Sequence, residues 1–292
     1  MKGKVVVLAA SACSSARILL NSKSKQHPNG LGNSSDLVGR YLHDSTGGDM
    51  MAFIPELINR KTYNEDGVGG MHVYSPWWLD NKNLDFARGY HIEVWGGLGA
   101  PSYGTGFNVN SFNKFFGINK AGGYGNSLRD DMKKYYGSTI GLSGRGESIA
   151  QKSNYCEIDP KKVDKYGVPV LRFNYNWTDN EIKQAKHMQD TFEEIIHNMG
   201  AIPLWGKPGK DANYGLTKPG QIIHEVGTTR MGSSPKNSVV NEYERLHDVS
   251  NVYVVDAGPF VSQADKNPTW TILALAMRSS EKIVEEFKKQ NF

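Results

Sequence analysis

The sequence predicts a mixed helix-and-sheet fold, α/β (α+β), and three observations carry that expectation. A β-branched run, Val5-Val-Val7, passes through small residues into the apolar stretch Ala16-Arg-Ile-Leu-Leu20. Two segments, Gly89–Trp95 and Val168–Tyr175, have the make-up of strands. Two long periodic runs open on capping residues, at Thr178 and at Asn267.

The composition agrees with a folded domain. At 292 residues, with 38% hydrophobic and 11% aromatic content, the chain is too apolar for disorder and long enough for one or two domains. Its formal charge of +4 comes without a block of like charge, which argues against a nucleic-acid partner. Cys13 and Cys156 are too few for a disulfide framework or, alone, a zinc site. His43, His91, His187, His197 and His247 show no convincing ligand spacing, so no metal is expected. No apolar stretch approaches the ~20 residues of a transmembrane span, and the expectation is a soluble chain.

Taken in order, the first element is a strand at Val5–Leu8, followed by a tight turn at Ala10-Ser11 and a helix. A short export signal is the competing reading of this start, but Ile18, Leu19 and Leu20 continue a buried pattern past it. Residues 30–44 read as loop. In Gly89–Trp95, Tyr90, Ile92 and Val94 share one face, as a strand requires. Residues 99–125 show no period and read as a long loop of the kind that often serves binding. Val168–Tyr175 is a second strand. Thr178-Asp-Asn-Glu181 then fits a capping box for a helix with Ile182, Ala185, Gln189, Phe192, Ile195, Ile196 and Met199 inward and Gly200 at its end. Asn251–Asp256 is a short buried strand. Asn267 as N-cap and Pro268 as first residue open a last helix, with Ile272, Ala276, Ser279, Ile283 and Phe287 inward.

Two segments could carry chemistry: His224-Glu-Val-Gly-Thr-Thr-Arg-Met-Gly232, and Asp256-Ala-Gly258 with Asn267-Pro-Thr-Trp-Thr-Ile-Leu-Ala-Leu-Ala-Met-Arg278. An imidazole titrates near neutrality and can take a proton. A helix N-terminus offers free N–H groups and the positive end of a dipole. A base, an amide donor and a helix start together suit alcohol oxidation. Residue types alone leave open that His224 is a turn histidine and Asn267 a plain cap.

These segments, with Val5–Cys13, Arg17–Leu20, Leu37–Leu42 and Gly144–Glu147, resemble the C-terminal half of the glucose–methanol–choline family of flavin oxidoreductases. The likeness is to its bacterial sugar and polyol dehydrogenases. The resemblance implies FAD as cofactor and a sugar or polyol as substrate, with the electron acceptor unspecified. It implies that His224 is the catalytic base and that Asn267 hydrogen-bonds the substrate oxygen while hydride passes to flavin N5. It assigns cofactor contacts to Ala10, Ser11, Asp256, Ala257, Gly258, Asn267, Pro268 and Thr269; Ser11 stands where the family often has glycine. It further implies three pieces: 1–44 of the FAD-binding domain, 45–218 as substrate-binding domain, and 219–292 as the C-terminal piece of the FAD-binding domain.

The family's Gly-x-Gly-x-x-Gly turn is not found here. Gly67–Gly70, Gly97–Gly99, Gly104–Gly106 and Gly144–Gly146 all miss the spacing. The expectation is a chain lacking the N-terminal Rossmann βαβ unit, either as a truncation or as one half of a split enzyme whose partner chain supplies the dinucleotide-binding half. A non-catalytic remnant is the alternative. An exported carbohydrate-binding domain using Trp77, Trp78, Trp95 and Tyr103 is a third reading, and aromatic clusters more often serve a core.

Overall fold

The computed structural model describes residues 3–60, 73–76, 82–96, 125–135 and 137–292. The expected loop through 99–124 and the aromatics Trp77, Trp78 and Tyr103 lie outside these residues. The chain divides into two compact units. The first gathers residues 1–46, 146–178 and 218–292; the second holds 47–145 and 179–217.

In the first unit, the β-branched run forms β1 (Val6–Leu8), which pairs in parallel with β9 (Val252–Val254) in the register Val6↔Val252 and Leu8↔Val254. Helix α1 (Ala12–Asn21) follows at once. Its Ala16, Leu19 and Leu20 are buried with Leu37, Val38, Leu42, Val240, Leu246 and Val254 in one core. A hairpin of β6 (Tyr155–Val163) and β7 (Pro169–Asn174) lies against α1. Arg17 fixes the contact, donating to the Asp164 carboxylate at 2.7 Å and the Pro169 carbonyl at 2.8 Å. The last helix, Thr269–Lys288, closes the unit. One face of it presents Trp270, Leu273, Met277, Val284 and Phe287 to solvent. Val6 and Val7 of β1 are also exposed.

The second unit is a five-stranded sheet. Its strand order is β3 (Val73–Pro76), β4 (Tyr90–Gly96), β5 (Thr139–Gly146), β2 (Thr46–Phe53), β8 (Ile202–Pro203). A helix of residues 126–135 precedes β5, and the long helix Asp179–Asn198 packs on the sheet. Met188, Phe192 and Ile196 of the long helix meet Met50, Ala52, Tyr90, Ile92 and Leu142 of the strands. Gly144 permits the close approach, because a Cβ there would sit 2.7 Å from the Met188 sulfur. Gly200, at φ +61°, ends the helix: its N–H reaches His197 and that of Ala201 reaches Ile196, which satisfies the last carbonyls.

Three expectations need correction. The strand at Val168–Tyr175, expected in one sheet with Gly89–Trp95, pairs with β6 in the first unit, and residues 146–178 cluster with the two ends of the chain through Arg17 and the shared core. The last helix has Pro268, not Asn267, at its N-cap, and no side chain caps it. Of its expected inner face, Ser279 is buried and Phe287 is exposed, because the neighbouring surface covers only a narrow strip of the helix.

Candidate active site

The turn that follows β1 and the turn that follows β9 are tied together by one carboxylate. Asp256 accepts a hydrogen bond from the Ser15 hydroxyl at 2.5 Å and another from the Gly258 N–H at 2.8 Å. Ala10 donates its N–H to the same Ser15 hydroxyl. Burial pushes the Asp256 carboxyl up, and Ser15 and the backbone N–H groups of Gly258, Ala10 and Ser11 work against that rise. Gly258 must lack a side chain, since a Cβ would lie 2.3 Å from the Thr229 hydroxyl. Ser11 holds φ +81° just ahead of α1, whose N-terminus has no side-chain cap.

The His224 segment runs alongside the second turn. Gly227 donates to the Ala257 carbonyl, Thr229 to Gly258 and Met231 to Pro259, all within 3.1 Å. The Thr228 hydroxyl bonds the Ala12 carbonyl at 2.6 Å. Ala12, Val226, Ala257 and Phe260 form a small core, against which Ile272 and Leu275 of the last helix pack. Four sequence-predicted segments therefore meet in one place: residues 10–12, 224–231, 256–260 and the start of the last helix.

His224 itself is half-buried and held from two sides. Its N–H donates to Asp44 at 3.0 Å, and its Nδ1 lies 3.3 Å from the Ser45 hydroxyl. Asp44 also accepts from the Ser45 N–H and from Gly220, so one carboxylate organises the loop before His224. Burial pushes the Asp44 carboxyl up to about 6 against these three bonds. Gln263 donates to the Ser45 hydroxyl at 2.8 Å, four residues ahead of Asn267. Asn267 and Thr269 are exposed and Pro268 is buried. Asp44, Ser45 and Gln263 escape a sequence reading, since each is a lone polar residue far from its partners in the chain.

His43 is a packing residue. Its Nδ1–H donates to the Tyr41 carbonyl at 2.7 Å, and burial, with help from the Arg230 charge, lowers its pKa to about 4. Among the described residues no three His, Cys, Asp or Glu side chains converge as metal ligands, and no helix is long and apolar enough to cross a membrane.

Residues 151–276 match the family profile described as GMC oxidoreductase. The chain is 29% identical, over 98% of its length, to 2-methyl-1,2-propanediol dehydrogenase of Mycolicibacterium austroafricanum, of which it covers 49%. It is 30% identical over 57% of its length to the gluconate 2-dehydrogenase flavoprotein of Pantoea cypripedii, covering 27% of that protein. It is 24% identical over 98% of its length to the fructose dehydrogenase large subunit of Gluconobacter japonicus, covering 48% of it. Among solved structures, a formate oxidase of Aspergillus oryzae RIB40 shares the fold, with TM-score 0.64 at 12% identity over 98% of this chain and 55% of the oxidase. The chain thus spans about half the length of the relatives it matches end to end.

Proposed function

The chain carries a GMC oxidoreductase C-terminal domain over residues 151–276, and from that premise we propose that it contributes the catalytic side of an FAD-dependent dehydrogenase oxidising a CH–OH group of a sugar or polyol. One observation supports the reading: Val226, two residues beyond His224, Ala257 of the Asp256–Gly258 turn, and Ile272 and Leu275 of the last helix gather around one small core. The names of the relatives, a diol, a gluconate and a fructose dehydrogenase, support the substrate class.

The residues present suit the flavin end of FAD. The turn after β9 is stripped of side-chain bulk at Gly258, so backbone can approach a ligand closely. The last helix begins with no side-chain cap and with Asn267 and Thr269 exposed, which leaves its N–H groups and dipole available to negative charge. When bound, the flavin supplies the hydride acceptor. His224 takes the hydroxyl proton of the substrate, and Asn267 holds the substrate oxygen with its amide. Asp44 accepts the backbone N–H of His224, and Ser45 meets its ring at Nδ1, so the imidazole is held from both the backbone and the ring. Ala10, Ser11, Asp256, Ala257, Gly258, Pro268 and Thr269 would hold the flavin and ribityl side of the cofactor. In this reading residues 1–44 and 219–292 serve FAD and part of 45–218 serves the substrate.

The diphosphate of FAD calls for a glycine-rich turn that these 292 residues do not contain. The test is reconstitution of this chain with a polypeptide bearing that turn and FAD, followed by dye reduction with a panel of sugars and polyols. Substrate-dependent turnover is expected, and His224→Ala is expected to cut it by ~10²–10⁴-fold, as loss of a general base does. Full activity in His224→Ala would overturn the reading.

A further inference from the structure

Between β9, the segment 241–245 and the last helix lies a cavity of about 300 Å³, at the lower end of the range for small-molecule sites. Tyr253 of β9, Arg245 and Lys282 line it, with Asn241, Tyr243 and Glu286. All of these residues belong to the first unit. Lys282 lies about 20 Å along the helix axis from Thr269, where the last helix starts. The cavity is therefore distinct from the contacts assigned to the flavin.

The groups that line it are short of acceptors. Arg245 and Tyr253 are directly opposite each other in an antiparallel bridge, so their side chains stand on one face. Tyr253 is fully buried, yet its hydroxyl has no hydrogen-bond partner, a state buried polar atoms rarely keep. Burial pushes its pKa up and the Arg245 charge draws it down, so the two groups interact without closing a well-formed bond. Among the described residues Arg245 makes no ion pair. Asn241 accepts the Tyr243 and Arg245 N–H groups at Oδ1, at 3.0 and 3.1 Å, so what its amide can offer a ligand is the NH2. The acceptors are already engaged. Glu286 takes Lys282 at 2.8 Å on Oε1 and the Asn291 amide at 2.6 Å on Oε2. Glu242, the other lining carboxylate, is exposed. A cation entering here would meet one solvated carboxylate and an unpaired guanidinium. An anion would meet several donors at once.

We propose that this cavity binds a small molecule bearing a carboxylate or phosphate group, held by the Arg245 guanidinium and the Tyr253 hydroxyl. The planar fork of arginine matches two oxygens of either group. The ligand oxygen supplies the acceptor that Tyr253 lacks and the negative charge that Arg245 lacks. The hydroxyl is closed to water, so reaching it takes a rotamer change of Arg245 or Lys282, long side chains that are both partly exposed. At this volume the site has room for more than a bare ion. The proposal depends neither on His224 nor on FAD.

Binding is read by titration calorimetry on the full 292-residue chain, with inorganic phosphate, succinate and uncharged succinamide as probes. None of the three is a sugar or polyol, so the proposed substrate site is not addressed. Saturable binding of phosphate, of succinate or of both at millimolar concentration is expected, and the one that binds names the head group. Succinamide is expected not to bind. Arg245→Gln removes the charge and should weaken binding by about 10–100-fold, the range of a charge-assisted hydrogen bond. Tyr253→Phe deletes only the hydroxyl and should weaken it by about 2–10-fold. That hydroxyl has no partner to lose, so Tyr253→Phe should unfold at no lower temperature than the wild type in anion-free buffer. It therefore keeps the test decisive if Arg245→Gln fails to fold. Three results would each overturn the proposal: no saturable binding of either anion, succinamide binding as well as succinate, or anion affinity unchanged in Tyr253→Phe.

Discussion

Ser11 occupies φ +81° and ψ 156°, a region that side chains other than glycine's enter at a cost of about 1–3 kcal/mol. Its place between β1 and the first turn of α1, beside Asp256, leaves the backbone no alternative. Ser11→Gly is expected to raise stability by about 1 kcal/mol in urea unfolding, since the strain outweighs the extra freedom glycine has when unfolded; a loss of stability would contradict this. Glu244 is a second costly residue. It is fully buried, bonded to the Ser279 hydroxyl through one oxygen and unpartnered at the other. Burial pushes its pKa from 4.5 to about 7, with Ser279 and Arg278 opposing. The folded state therefore binds a proton more tightly than the unfolded chain. Stability is expected to fall as pH rises through that window, and Asp44 acts in the same direction between 3.8 and about 6. His43 acts oppositely, losing stability as pH falls from 6.5 through about 4. Glu244→Gln should match the wild type at pH 4.5 and exceed it by roughly 1–3 kcal/mol at pH 8. Thermal unfolding at the two pH values checks this, and equal offsets at both would refute it.

At the scale of elements, the loop 30–44 is tied to β6 by the Cys156 N–H donating to the Gly39 carbonyl, by Arg40 stacked on the Tyr155 ring, and by a close approach at Gly39. Gly39 sits at φ +85°, and a Cβ there would lie 2.1 Å from the Cys156 carbonyl oxygen, which is backbone and cannot step aside. Gly39→Ala is expected to cost more than about 3 kcal/mol, combining the conformational penalty with overpacking; a smaller shift in a denaturant titration would mean that the loop relocates freely. The sequence was legible where an element's own residues define it. The strand–turn–helix start is there within a residue, and the helix at 179–198 begins and ends where its Thr178 and Gly200 signals put it. Alternation also located β4, and residue make-up located β7, but neither names a partner strand. The pairing of β7 with β6 depends on a strand whose pattern is irregular, with a register shift between Ile158 and Val163. The site was legible in the same uneven way. The motifs of residues 224–232 and 256–269 could be found because they are contiguous. Asp44, Ser45 and Gln263 act on His224 from 180, 179 and 39 residues away and leave no local pattern.

For the molecule as a whole, the question is what 292 residues can hold on their own. In the proposed reading, the turn at Asp256–Gly258 and the start of the last helix hold one end of FAD. A glycine turn for its diphosphate, not found in these 292 residues, would add several charge-assisted hydrogen bonds, each worth ~1.5–3 kcal/mol, and each ~1.4 kcal/mol is tenfold in affinity. Purified chain mixed with FAD is expected to stay colourless after gel filtration; stoichiometric flavin absorbance would refute this. The exposed row Trp270, Leu273, Met277, Val284 and Phe287 makes the same preparation prone to self-association. Leu273→Glu with Met277→Lys should reduce light scattering at unchanged thermal stability, and scattering equal to that of the wild type would locate the sticky surface elsewhere.

The pairing of β1 with β9 also bears on how the chain is made. Val6 must wait for Val252, about 250 residues later, before its backbone groups find their neighbour. At a synthesis rate of ~5–20 residues per second, that delay is roughly 12–50 s, long compared with the microseconds in which the adjacent helix can form. During that interval the valine-rich strand is without its β9 partner. Nascent chains should therefore recruit holding chaperones through the strand at Val6–Leu8, and a circularly permuted gene that places β9 ahead of β1 should shed that dependence.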